Sequence, residues 1–288
     1  MTIDFNPNPA ESTNPYIRTP EEPILIPSVV AYIDILGYHE MASRAHCHNR
    51  DSEFLQNLHR AFSKGQNWLQ GKLPGPKIGK KHFCALKAFT DNIVLGYPLI
   101  RSKSDGEVEL GHVFFLLAIF QFEVTVAGFF TRGAISIGDL YIDDNIVFGN
   151  GLTEAYEGEI QLARDPRIVL TKSAAEAVKK HLKYYADPHE SPQYRDLYLD
   201  SDGQLFLNYL DYILIAEEEI GPSFDGLEKH REIIEQKLSE YMGNPVIWSK
   251  YFWVAKYHNF FCSQFPNYFD KSHMVDLEKF QLRPSTIV

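Results

Sequence analysis

The chain has 288 residues, of which 44% are hydrophobic and 14% aromatic, and it carries a formal net charge of −10. This length suits one large domain or a domain with an appendage, and the aromatic content favours a packed core over disorder. The negative charge argues against binding to long phosphate backbones, so we expect no nucleic-acid partner.

The cysteine pattern and the apolar segments predict a cytoplasmic protein without a membrane partner. Three cysteines without framework spacing indicate a reducing compartment, and the N-terminus lacks the basic and apolar stretches of a secretory signal. The most apolar segment, 113–130, is interrupted by Gln121, Glu123 and Thr125. We therefore expect it to be a buried helix rather than a membrane span.

The elements in chain order predict three regions. Residues 1–27 carry six prolines and predict an extended N-terminal arm. Residues 28–171 alternate apolar runs and amphipathic stretches, which predicts an antiparallel sheet with helices packed on it. Residues 172–288 predict a helical C-terminal extension packed on that domain. The predicted strands are 29–37, a hairpin at 82–97, 133–138, 146–148 and 166–170, and the predicted helices are 51–70, 109–128, 149–163, 224–242 and 247–261.

Two acidic residues stand in apolar strand contexts, namely Asp34 and Asp91. An unpaired buried carboxylate costs several kcal/mol, so each needs a cation, a base or a helix N-terminus. If their strands are neighbours, the two side chains can meet at one sheet edge and hold Mg²⁺ or Mn²⁺ with a triphosphate. Alternatively, Asp34 caps the following helix and Asp91 is a hairpin residue.

Four motifs in order resemble those of class III nucleotide cyclases. These are Tyr32 to Tyr38, Lys87 to Asp91, Arg132 to Gly138, and the stretch that begins at Phe148-Gly149. The run through Glu154-Ala155-Tyr156 and Pro166-Arg167-Ile168 is similar to the bacterial Pycsar pyrimidine cyclases. The resemblance implies an α+β, ferredoxin-like catalytic domain that acts as a homodimer in antiphage defence, where a separate effector protein reads the cyclic nucleotide.

The resemblance also implies the site residues. Two metal ions, Mg²⁺ or Mn²⁺, would be held at Asp34, Ile35 and Asp91. The substrate would be bound by side chains and by backbone amides. Tyr32 would stack on the base, and Lys87 would donate to a base carbonyl. The backbone amides of Ile35, Leu36, Gly37 and Tyr38 would face the phosphates.

Three positions depart from the purine cyclases. Thr153 and Glu157 stand where those enzymes have an Asn and an Arg that stabilise the transition state, and Ile146 stands where they have a purine-reading Asp. Another cation must then replace the missing Arg, and we place Arg132 first, followed by Arg164, Arg167 and Lys256. A Lys donor suits uracil, so UTP is the expected substrate.

Three alternatives stay open at this point. The chain could make cyclic CMP from CTP, or it could be an inactive cyclase-like module that binds a nucleotide. A two-metal phosphohydrolase or nuclease would also use Asp34 and Asp91, although such enzymes need more carboxylates around the metals.

Overall fold

A computed structural model describes residues 14–17, 23–69, 84–99, 105–214 and 224–280. The chain forms two compact units, Met1–Tyr212 and Ile213–Val288. The first unit holds every strand of the described chain, together with six α-helices between residues 38 and 196.

The first unit alternates strands and helices along the chain. Its strands are β1 (Ile26–Ile35), β2 (Ala85–Phe89), β3 (Asn92–Pro98), β4 (Thr131–Ile142), β5 (Val147–Phe148), β6 (Ile168–Leu170), β7 (Leu197–Leu199) and β8 (Leu205–Leu207). Its helices are α1 (Tyr38–Cys47), α2 (Asp51–Leu69), α3 (Glu107–Val126), α4 (Asn150–Leu162), α5 (Lys172–His181) and α6 (Pro192–Asp196).

The sheet has a ferredoxin-like core. Its strands run in the order β2-β3-β1-β4-β6-β8-β7, and β5 pairs with β4. The first four are antiparallel to their neighbours, and helices connect β1 to β2 and β3 to β4. This is the order of a split β-α-β arrangement. The predicted α+β class, with an antiparallel sheet and helices packed on it, is confirmed.

The strands after residue 171 extend this sheet. β6 pairs with β4 in parallel, and β8 and β7 then add in antiparallel fashion. The predicted boundary of the catalytic domain at residue 171 falls before β7 and β8, and the helical extension predicted from residue 172 contains these two strands. Each has three residues, which is too short for a period-two pattern to emerge.

Helices cover both faces of the core sheet. Val30 and Val94 belong to a buried cluster with Ala155 of α4, so the residues of β1 that share a face with Val30 point towards α4. The alternating residues Val29 and Ile33 are also buried, and they face the opposite layer. There, α3 packs against α2 and contacts β1, β3 and β4.

Two glycines allow α4 to approach the sheet closely. A Cβ atom at Gly138 would lie 2.7 Å from the Cα atom of Gly151, and the Ser136 hydroxyl donates to the Gly151 carbonyl at 2.6 Å. Further along α4, a Cβ atom at Gly158 would lie 2.8 Å from that of Ala134 on β4. The helix axis is therefore fixed close to β4.

Helix α3 is the apolar segment that the sequence predicts to be a buried helix. Glu107–Val126 is long and apolar enough to meet the length and composition requirements of a membrane span, but 72% of its most apolar window is buried within the fold. Burial of this kind is typical of a core helix, as predicted.

Part of the predicted N-terminal arm packs on the sheet of its own chain. Tyr16 is fully buried, and its hydroxyl donates to Ser28 Oγ at 2.7 Å, while the Asn14 amide donates to the Ile142 carbonyl. Residues 1–13 and 18–22 of the arm lie outside the described residues.

The second unit contains two long helices, α7 (Phe224–Glu240) and α8 (Pro245–Gln264), which pack against each other. Asn244 caps α8 by accepting a hydrogen bond from the Ile247 amide, and Pro245 occupies its first turn. His230 of α7 and His258 of α8 are buried and stacked, with their Nδ1 atoms 2.9 Å apart.

Candidate active site

The strand register places the predicted site residues on the face that α4 covers. Asp34 of β1 lies opposite Asn92 of β3 on one side and Arg132 of β4 on the other. Two residues earlier on β1, Tyr32 lies opposite Val94 of β3, which in turn lies opposite Lys87 of β2. Directly opposed residues point to the same face, so these side chains form two adjacent polar rows.

Asp91 lies at the tip of the β2–β3 hairpin, next to the end of β1. Its main-chain carbonyl accepts a hydrogen bond from the Ile35 amide at 3.1 Å, which ties the tip to β1. Its carboxylate oxygen Oδ1 accepts from the Thr90 hydroxyl at 2.8 Å and from the Asn92 amide at 3.0 Å. Thr90 has a positive φ of 54°, an uncommon conformation for a β-branched residue, and this conformation forms the turn.

Asp34 and Asp91 are brought together, as the sequence predicts. Burial raises the pKa of Asp34 above its ordinary value, the neighbouring Arg132 lowers it, and the carboxylate of Asp91 raises it again. The net effect on the pKa is upward, because burial is the largest of these contributions. Asp34 does not cap α1, because the N-cap is Gly37 and it makes no side-chain cap hydrogen bond.

Arg132 lies between two carboxylates. Its Nε atom is 3.1 Å from Asp34 Oδ2 and 2.8 Å from Glu159 Oε1. The side chains of Arg132, Asp34 and Glu159 are 28%, 17% and 4% exposed, so the pairing is shielded from water. Within the described part of the chain, the hydrogen bonds of this guanidinium use only Nε, and its two terminal nitrogens are available to a ligand.

Tyr32 connects the acidic cluster to the neighbouring cavity. Its hydroxyl donates to Asn92 Oδ1, and its ring meets that of Tyr156 edge-on at 5.3 Å between centroids. Burial raises the pKa of Tyr32 to about 12, with smaller contributions from the carboxylates of Glu159, Asp34 and Asp91. The phenol is therefore neutral and remains a hydrogen-bond donor.

A cavity of about 490 Å³ opens beside Tyr32. Its walls are largely apolar and aromatic, and they are formed by Tyr32, Lys87, Phe89, Val94, Asn145, Val147, Leu152, Thr153 and Tyr156. The Lys87 ammonium donates to the carbonyls of Asp143 at 3.2 Å and Asp144 at 3.0 Å. Lys87 thus joins β2 to the turn between β4 and β5, and among its contacts with described residues one of its three N–H groups remains for a ligand.

The amides predicted to face phosphates are partly engaged by the fold itself. The Ile35 amide donates to Asp91, and the Leu36 amide donates to the Phe130 carbonyl at 2.8 Å. Gly37, at a φ of 73°, leads into α1, and the Tyr38 ring packs against Phe54 of α2. Of the four predicted amides, those of Gly37 and Tyr38 are the ones at the N-terminus of a helix, where anions bind.

The remaining candidate cations lie elsewhere or are occupied. Arg167 is fully buried and pairs with Asp200 and Asp202, so it fastens the start of β6 to the β7–β8 turn. The side chain of Arg164 is 88% exposed. Lys256 belongs to the second unit, where it lies over the Phe252 ring.

The positions that depart from the purine cyclases lie near the cavity rim. Thr153 lines the cavity, and its hydroxyl lies 3.4 Å from the Gly149 carbonyl, while Glu157 and Ile146 are exposed. Sequence reasoning missed Glu159, Asn92 and Tyr156. Glu159 follows Ala155 by four residues, about one helical turn, so both lie on the buried side of α4. This spacing was the signal in the sequence that could have identified Glu159.

The donor set suits a hard divalent cation that shares its ligands with a phosphate. Among the described residues, no group of three or more His, Cys, Asp or Glu side chains could hold a metal ion. Mg²⁺, however, is commonly bound by one or two carboxylates together with substrate phosphates. Asp34 and Asp91 meet that requirement.

Comparison with known proteins finds distant structural neighbours. No family model and no curated protein matches the sequence. The crystal structure of the guanylyl cyclase Cya2 matches with 12% identity and a TM-score of 0.39, over 54% of this chain and 79% of that one. A class III adenylyl cyclase-like ATP-binding protein from Pseudomonas aeruginosa matches with 15% identity and a TM-score of 0.41, over 77% and 44% respectively. At these values, neither structure says what this chain binds or catalyses.

Proposed function

We propose that the chain is a divalent-metal-dependent nucleotide cyclase. The proposal is carried by the convergence of the Asp34 and Asp91 carboxylates beside a cavity with aromatic walls. Carboxylates of this kind suit a metal-bound triphosphate, and aromatic walls suit a base. One face of the sheet thus offers a place for both ends of a nucleoside triphosphate.

The reaction is the formation of a 3′,5′-cyclic nucleotide. The ribose 3′-oxygen bonds to the α-phosphorus, the bond from that phosphorus to the pyrophosphate oxygen breaks, and the hydroxyl proton leaves. Asp34, Ile35 and Asp91 would hold two Mg²⁺ or Mn²⁺ ions, which supply charge neutralisation and activation of the hydroxyl when bound. Arg132, with two unused terminal nitrogens, would grip phosphate oxygens as charge develops.

UTP is the proposed substrate. The third N–H of Lys87 would donate to O4 of uracil, and Tyr32 with Tyr156 would contact the base. Ile146 carries no carboxylate to read a purine. CTP is the second choice, because cytosine presents a donor instead of an acceptor at position 4.

A second copy of the chain is the proposed partner at the cavity rim. Five large apolar side chains here are about half exposed or more: Phe89, Ile146, Phe148, Tyr156 and Ile160. Phe89 and Tyr156 line the cavity, so a second copy that covered the patch would also close the site. Light scattering should show a dimer, and Phe148→Glu should give inactive monomers; an active wild-type monomer would contradict this.

The cellular role we propose follows the resemblance to the Pycsar cyclases. The cyclic pyrimidine nucleotide would form in the cytoplasm during phage infection, and a separate effector protein would read it. A rise in cyclic UMP in infected cells that carry the wild-type chain, and none with Asp91→Asn, is the expected observation.

An inactive nucleotide-binding module is the second candidate function. Glu157 would repel a developing phosphate charge, and Arg132 is already paired with two carboxylates. Incubation with each nucleoside triphosphate and Mn²⁺, followed by mass analysis, separates the candidates. A cyclase gives a cyclic monophosphate and pyrophosphate, a phosphohydrolase gives a linear nucleotide, and a binding module returns the substrate unchanged.

A further inference from the structure

We infer that Glu159 is a positioning residue: by holding Arg132, it keeps Asp34 available to a divalent cation. The inference rests on the proposed metal site and adds to it a residue that lies on α4, outside the metal motifs. Its basis is the geometry of one guanidinium between two carboxylates.

Helix α4 brings Glu159 to the acidic cluster by close packing. The neighbouring Gly158 lets the helix approach β4 so closely that a Cβ atom there would lie 2.8 Å from that of Ala134. Glu159 is consequently buried, with a side chain only 4% exposed. A buried carboxylate requires a cation, and Arg132 provides it at 2.8 Å.

Arg132 has a second partner in Asp34, at the longer distance of 3.1 Å. Both contacts are made by the same Nε atom, whose one hydrogen goes to Asp34 Oδ2, while Glu159 Oε1 lies beside it as an ion-pair partner without a hydrogen bond from that nitrogen. A cation that binds Asp34 shares this carboxylate with Arg132, which holds Oδ2 and draws on its negative charge. Glu159 limits that loss, because it compensates the charge of Arg132 from its other side.

The charge balance supports this role. Among the contacts of the described residues, the carboxylates of Asp34, Asp91 and Glu159 outnumber the one guanidinium, and this excess of negative charge favours a cation. Without the charge of Glu159 the excess is smaller, and Asp34 is the one acidic partner left to Arg132 among these groups. Arg132 would then compete directly with the metal ion for Asp34.

The test measures Mn²⁺ binding without nucleotide, from the electron paramagnetic resonance signal of free Mn²⁺, in the full-length protein. Glu159→Gln should weaken Mn²⁺ binding about 10- to 100-fold, the usual effect of removing a residue that orients a metal ligand. Glu176→Gln is the matched control, since it removes the same charge from a position of α5 whose side chain is 65% exposed, and it should change the affinity less than twofold.

The same substitution in an Arg132→Gln background separates positioning from a direct role. With Arg132 absent, nothing competes for Asp34, and Glu159→Gln should then leave the Mn²⁺ affinity within about twofold. An equal loss in both backgrounds would show that Glu159 binds the metal or acts as a simple charge, and would overturn the inference.

Two further outcomes are decisive. If the wild-type protein binds Mn²⁺ and Glu159→Gln binds it equally well, the inference fails while the proposed metal site stands. If the wild-type protein binds no Mn²⁺ either alone or, measured against a UTP-only blank, in the presence of UTP, both fail. Thermal melting and circular dichroism of each variant show whether it is folded, and Glu159→Asp, which keeps the charge but shortens the side chain, should restore part of the affinity lost in Glu159→Gln.

Discussion

Lys87→Met tests whether the cavity reads the base. In the folded protein two of the three ammonium N–H groups go to the carbonyls of Asp143 and Asp144, so one remains for the substrate. A donor that faces N4 of cytosine instead of O4 of uracil loses a hydrogen bond and leaves a polar group unpaired, which costs about 1–3 kcal/mol. That range corresponds to about a 5- to 150-fold preference for UTP over CTP.

The assay compares kcat/KM for UTP and CTP in the wild type and in Lys87→Met. Methionine has a side chain of similar length but lacks the N–H donors of lysine. Loss of the two turn contacts should lower both values together, so the ratio isolates the base contact. The ratio should collapse to about one in the variant. Lys172→Met, at a lysine whose side chain is 85% exposed, is the control and should leave the ratio unchanged. A wild-type UTP preference that persists in Lys87→Met would show that Lys87 only holds the turn.

Two further predictions concern stability. Gly133→Ala would place a Cβ atom 2.4 Å from the Tyr32 carbonyl oxygen, so β4 must move from β1 and the free energy of unfolding should fall by about 1–3 kcal/mol in urea titration. Gly111→Ala on α3, where a Cβ atom meets nothing within 4 Å, should be neutral or stabilising. In the second unit, burial lowers the pKa of His258 from 6.5 to about 4. As the pH falls, the unfolded chain therefore takes up this proton before the folded protein does. The free energy of unfolding should decrease as the pH drops from 6.5 towards 4, by about 3 kcal/mol more than in His258→Gln. Parallel pH profiles of the two proteins would contradict this.

The elements that the sequence predicts well are those with strong local patterns. Three patterns can be recognised within about 20 residues of sequence: the apolar run of β1, the hairpin tip at Asp91 and the long apolar stretch of α3. The predicted meeting of Asp34 and Asp91 depended on the first strand and the hairpin being neighbours, and β1 does pair with β3 in the sheet.

What the sequence did not predict depends on contacts between distant segments. Helical spacing places Glu159 on the buried side of α4, but its contact with Arg132 depends on Gly158, which lets α4 approach β4 closely. Likewise, the bonds from Lys87 to the β4–β5 turn span 56 and 57 residues, and no local pattern encodes them. The strands β7 and β8 are recognisable only as additions to an existing sheet edge.

The most direct test of the cyclase proposal is the yield of cyclic nucleotide from Asp34→Asn and Asp91→Asn in the presence of Mn²⁺ and the four nucleoside triphosphates. Each substitution removes a charge from a partly buried residue of the proposed metal site and keeps the side-chain volume, so the fold should persist. Asp225→Asn, at an exposed position of the second unit, is the matched control. We predict cyclic UMP and pyrophosphate from the wild type and from Asp225→Asn, and a loss of at least about 100-fold in the two site variants. Cyclic product at wild-type levels from both site variants, or none from the wild type, would contradict the proposal.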